Sequence, residues 1–315
     1  VTRFIPVCFS FLAAGLLLAA GCSRPVADNP RINASNVVSL KKALGATAEE
    51  SAAPSEAAAA AEPQGWATLK GRFVFADAPP PRMTLVADKD AHVCAPGGKQ
   101  PLDEVFVVDP DTKGIKDVVI YLTTKYPAGD PKWEHADYLA TANGTNELAF
   151  DQKDCIFLSH LYVARSTQTI VIKNSDNVGH NTSINPSPGS KAQAFNELLP
   201  ALGQTTYKPM GESTIPNPVS CSIHPWMSAL ILTRNNPYYA VTKPDGTFEI
   251  KNVPAGVELE FAVWQQKTNF VTKVKVQEDG GAEKDETWKK GKFKRTLQPD
   301  STLTLNVTLD SSILK

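Results

Sequence analysis

One seven-residue stretch, Cys221-Ser222-Ile223-His224-Pro225-Trp226-Met227, constrains this chain more than any other. It sets a thiol, an imidazole and a thioether at intervals of three residues on one short turn, and Pro225 restricts the backbone just after the imidazole. A second imidazole, His180, lies 41 residues upstream, behind the strand-like run Thr169–Asn174 and the breaker Ser175-Asp-Asn-Val-Gly179. Side chains that far apart in sequence meet when two loops share one end of neighbouring strands, as they do in a Greek-key sandwich.

The residue types define the chemistry expected there. Thiolate and thioether sulfur suit Cu(I), imidazole suits both copper oxidation states, and the set of two imidazoles, one thiolate and a weak thioether is that of a mononuclear blue-copper electron-transfer site. The candidate ligands are therefore His180, Cys221, His224 and Met227, with one copper ion as cofactor. Asn181 is placed to pin the two loops together by bonding Ser222. Pro225 and Trp226 would form an apolar docking rim over the edge of His224. A Cys-x-x-His pair alone also fits zinc, for which His160 would be the nearest further ligand.

The first 22 residues read as an export signal. Arg3 precedes the apolar run from Phe9 to Ala20, and Ala19-Ala20-Gly21-Cys22 is similar to a bacterial lipoprotein cleavage box in which Cys22 carries the lipid. Residues 23–65, rich in Ala, Glu, Pro and Ser, read as a disordered linker without material for a core. An exported, lipid-anchored protein at the periplasmic face or cell envelope is the expectation. A formal net charge of -1 gives no argument for nucleic acid as a partner. Outside the candidate signal and lipid cysteines, Cys94, Cys155 and Cys221 remain. With Cys221 committed to a metal, Cys94 and Cys155 are the pair left to bridge, although three cysteines permit other pairings.

From Trp66 on, short strands alternate with turns, and the expected fold is all-β: a Greek-key sandwich followed by a second, smaller β-sandwich. Strands are predicted at Trp66–Phe75, Glu104–Val108, Asp117–Leu122, Cys155–Leu158, His160–Ala164, Thr169–Asn174, Thr205–Pro209, Met227–Thr233, Thr247–Ile250, Val257–Trp264 and Thr302–Leu309. Residues 183–200 and 278–291 read as loops. The expected boundaries are 66–235 for the metal domain with its N-terminal extension and 236–315 for the second sandwich, with Trp66–Phe75 assignable to either.

The turn at 221–227 resembles the copper loop of amicyanin-type cupredoxins, with the same Cys-x-x-His-Pro-aromatic-Met spacing, and Thr169–Asn181 resembles the strand and turn of their first copper histidine. The likeness covers about residues 155–233. It implies a type 1 copper site with His180, Cys221 and His224 as strong ligands and Met227 as the weak axial one. Residues 239–257 resemble a carboxypeptidase regulatory-like or transthyretin-like module without catalytic residues. The composite resembles exported cupredoxin-like proteins related to methylamine-utilisation proteins, although nothing here binds an amine. The expected function is single-electron transfer outside the cytoplasm to a protein redox partner, without catalysis. The alternatives are copper storage or delivery, and a non-catalytic surface interaction module.

Overall fold

A computed structural model describes residues 62–144 and 147–314. The candidate signal, the lipid-bearing Cys22 and nearly all of the 23–65 linker lie outside the described residues. The architecture is all-β, with four sheets stacked as two sandwiches.

The first sandwich is built from both ends of the described chain. Trp66–Phe75 runs antiparallel to Thr247–Pro254 on one side and parallel to Thr302–Leu309 on the other, and Lys273–Glu278 and Lys284–Thr287 extend that sheet. Facing it, Val119–Leu122 lies between Tyr239–Val241 and Glu258–Gln265, which also pairs with Lys292–Thr296. Leu69, Phe73, Ile120, Leu122, Phe261, Val263 and Leu305 fill the space between the sheets.

The second sandwich occupies the middle of the chain. One sheet has the order Ile156–Phe157, Leu148–Lys153, Ile170–Asn174, Gln204–Tyr207. The other has the order Leu161–Arg165, Ser228–Arg234, Asn217–Ser220, His180–Ile184, Phe195–Leu199. Phe150, Phe157, Ile172, Ile184, Val219, Cys221, Met227 and Ile231 form its core.

Period-two alternation explains how the sandwiches join. In Val119–Leu122 every residue is buried: Ile120 and Leu122 face the first core, while Val119 and Tyr121 face outward. Those outward residues, with Ala262 and Trp264 of the neighbouring strand, pack on Leu161, Leu230 and Leu232 of the second sandwich. Two of the four sheets are thus covered on both faces, which accounts for the unbroken apolar runs of their strands.

Chain order and sheet membership therefore differ from the expected split at 235/236. Trp66–Phe75 and Val119–Leu122 belong with the C-terminal strands, and the middle sandwich is inserted between them.

Three local expectations also change. Glu104–Val108 is a loop with a single bridge, Val108 to Ile115, because its apolar side chains enter the core one at a time; Phe106, for example, meets Phe75 edge-on at 5.4 Å. Phe195–Leu199 is an edge strand with little apolar alternation, held by five residue pairs with His180–Ile184. Lys284–Thr287 has no apolar residue and forms an edge strand in which Asp285 stands opposite Lys275.

Candidate metal centre

His180 opens the strand His180–Ile184, Cys221 follows Asn217–Ser220, and Met227 immediately precedes Ser228–Arg234. These three strands are neighbours in one sheet, so the loops with the candidate ligands meet at one end. The 221–227 turn is closed by its own backbone: the Met227 N–H donates to the His224 carbonyl at 2.9 Å, and the Cys221 N–H to the Met227 carbonyl at 3.3 Å.

His180 and His224 have no solvent exposure, and Cys221 is free and buried. Their Nδ1 atoms face each other at 3.0 Å, and Cys221 Sγ lies 3.9 Å from His224 Nδ1. A nitrogen of each ring and the sulfur all fall within 4.8 Å of one another. Met227 is buried in the same core cluster as Cys221.

Both rings are oriented from behind. His180 Nε2 lies 2.7 Å from Asp176 Oδ2, and His224 Nε2 lies 2.9 Å from Asp90 Oδ2. A proton on each Nε2 donated to its carboxylate leaves both Nδ1 lone pairs aimed at the same point. Two such nitrogens at 3.0 Å need a proton or a cation between them.

The electrostatics agree. Burial opposes charge on His180, but Asp176 and Cys221 outweigh it and lift its pKa to about 9. Burial, with the neighbouring His180 charge, holds His224 below its usual value despite Asp90. Burial also opposes a Cys221 thiolate, yet bonds from His180 and from the N–H groups of Asn181, His224 and Ile223 bring its pKa down. The metal-free site thus eases ionisation of the Cys221 thiol beside two facing imidazole nitrogens, where a cation with soft-ligand preference fits.

Asn181 sits where the sequence expects it. Its Oδ1 accepts the Ser222 N–H at 3.2 Å, its Nδ2 donates to Asn196 Oδ1 and to the Glu197 carbonyl, and its backbone N–H donates to Cys221 Sγ at 3.2 Å. Cys94 and Cys155 form a disulfide. His160 lies apart, bonded to Gln266 at 2.5 Å and outside the cluster.

The docking rim differs from expectation. Pro225 is exposed, but Trp226 is half-buried against the His224 ring, with Nε1 donating to the Cys155 carbonyl at 3.2 Å. His224 shows no edge to solvent, because Asp90 covers it.

Sequence reasoning missed both carboxylates. Asp176 carried a faint signal, four residues before His180 across a turn that Asn174 shapes by accepting the Asp176 N–H. Its carboxylate also accepts the N–H groups of Asp154 at 2.7 Å and Cys155 at 2.9 Å, and burial notwithstanding, these bonds and His180 keep its pKa below the ordinary value. Asp90 is 134 residues from its partner and carried none.

No family model and no curated protein matches the chain. Among solved structures, amicyanin from Paracoccus versutus (Thiobacillus versutus) is 16% identical over 36% of this chain and 97% of its own, with a TM-score of 0.24. The novel purple cupredoxin from Nitrosopumilus maritimus is 19% identical over 28% of this chain and 98% of its own, also with a TM-score of 0.24. These are weak likenesses of fold confined to about a third of the chain.

Proposed function

We propose that this chain is a type 1 copper protein that carries single electrons outside the cytoplasm. The observation that carries the reading is the pair of Nδ1 atoms held 3.0 Å apart beside the buried, unbridged Cys221 sulfur. His180 and His224 would bind through Nδ1, Cys221 through Sγ, and Met227 would add a weak thioether contact. Copper, when bound, supplies a one-electron couple.

The chain's own part is to keep the ligands still. Asp176 and Asp90 fix the two rings, Asn181 ties the loop to the strand, and burial excludes water. A donor set that is complete and buried has no place for a substrate, so the proposal assigns no catalysis. The disulfide is consistent with a compartment that is oxidising. Attachment to the membrane through Cys22 and delivery of the electron to a protein partner complete the proposal.

The test is to produce the full chain in an oxidising compartment, load it with copper, and record visible and electron paramagnetic resonance spectra. An intense thiolate-to-copper band with narrow hyperfine splitting is expected, and it should vanish in Cys221→Ser. Stoichiometric copper without that band, or a folded protein that takes up none, would refute the reading.

A further inference from the structure

Residues 82–103 form a strap against the buried His180–Cys221–His224 cluster, closed on itself at its base. Thr84 bridges to Leu102, the Leu85 N–H donates to Pro101, the Asp103 N–H to Met83, and Arg82 Nε to the Asp103 carbonyl at 2.7 Å. The Ala87 N–H meets Gln100 Oε1 across the strap at 2.7 Å. Its tip is the short helix Ala91–Cys94, in which the N–H groups of Val93 and Cys94 both donate to the Asp90 carbonyl at 2.9 Å. The position of Asp90 is thereby coupled to that of Cys94.

The strap meets the metal sandwich at few points. Among the described residues, one hydrogen bond, Asp90 to His224, and one covalent bond, Cys94 to Cys155, join them. Ala87, Cys94 and Ala95 are buried in the core of that sandwich, and Val93 packs against it half-buried. The bridge lies at the site itself: its sulfurs fall within 4.8 Å of a His224 ring nitrogen. Beyond Cys94 the chain turns outward, and a Cβ added at Gly97 or Gly98 would meet nothing within 4 Å.

We propose that this strap is a redox-latched cover on the buried candidate metal ligands, held shut by the Cys94–Cys155 bridge and opened by a dithiol reductant. Both cysteines are buried, so one thiolate of the dithiol attacks a bridge sulfur during a transient opening of the strap tip, and its second thiol resolves the mixed disulfide. Two electrons and two protons end on Cys94 and Cys155 as thiols, and the dithiol becomes a disulfide. The freed tip then lifts Asp90 from His224, giving ions and chelators a way to ligands that are otherwise sealed. The consequence for copper rests on the proposed function, but the cover itself does not.

The test uses the full chain free of metal, so that failure to bind copper and failure of the latch are separate results. Diethyl pyrocarbonate is applied with and without dithiothreitol, and each histidine is followed by mass spectrometry. His92 on the strap is exposed and should react in both states, while His180 and His160 report on the intact sandwich. Reduction is expected to speed modification of His224 by about tenfold or more, as for local opening, while His180 and His160 stay protected. Cys94→Ser should give the same result without reductant. Two outcomes overturn the proposal: His224 as protected after reduction as before, or His160 and His180 becoming reactive together with loss of near-ultraviolet circular dichroism. The second would make the bridge a staple of the whole fold.

Discussion

Replacing Asp176 separates the structural work of its two oxygens. Oδ2 accepts from the Cys155 N–H and from His180, both fully buried, whereas Oδ1 accepts the N–H of the exposed Asp154. Asp176→Ala strands two buried donors at about 1–3 kcal/mol each, so a loss of about 4 kcal/mol is expected. The Asp154 N–H adds little, because water can take it. Asp176→Asn can keep its carbonyl oxygen at the Oδ2 position and turn its amide toward Asp154, which limits the cost to about 1–2 kcal/mol. The assay is urea unfolding of the metal-free protein. At an m-value of about 3 kcal/mol/M, the alanine variant's midpoint falls by about 1.3 M and the asparagine variant's by about half as much or less. Equal losses in the two variants, or an alanine loss below about 1 kcal/mol, would refute the assignment of Asp176 as the acceptor that orients His180.

Two further outcomes concern the scaffold. Glu134 and Arg165 form a bidentate pair at 2.8 and 3.0 Å with both side chains 2% exposed. Glu134→Leu should cost about 3–5 kcal/mol by leaving the guanidinium unpaired, and adding Arg165→Met should restore most of it; a double variant as unstable as the single would count against that cause. A Cβ at Gly71 would lie 1.7 Å from the Leu305 carbonyl oxygen, where the first and last strands run side by side. Gly71→Ala should therefore cost about 2 kcal/mol and lower Tm by about 4–8 °C, and an unchanged melting curve would show that the strands separate freely there.

The sequence made legible what depends on side-chain type and short-range order. The Trp66–Phe75 and Thr302–Leu309 strands, the turn at 221–227 and the Asn181–Ser222 bond follow from alternation, turn residues and ligand spacing. Edge strands such as Lys284–Thr287 escaped because a neighbouring backbone, and no apolar face, holds them. Residues 104–108 misled for the opposite reason, since an apolar run in a loop can still fill a core. The grouping of sheets was hidden because Val119–Leu122 is equally apolar on both faces and so does not declare which sandwich it serves. Asp90 was out of reach, for its meaning depends on a contact that only the folded strap creates.

Insertion of one sandwich within the other has a consequence for the order of assembly. The strand Trp66–Phe75 gains its parallel neighbour only when Thr302–Leu309 arrives, more than 200 residues later. At about 5–20 residues per second of synthesis, that wait is on the order of 10–50 s. The inserted sandwich, whose strands between 148 and 234 pair among themselves, can be complete well before then. The outer sandwich meanwhile carries an unpaired edge, and its contacts of high sequence separation make its closure the slow event of folding. A chain stopped short of Thr302 would therefore keep a finished inner sandwich beside an open sheet, and would be prone to pairing with other chains at that edge.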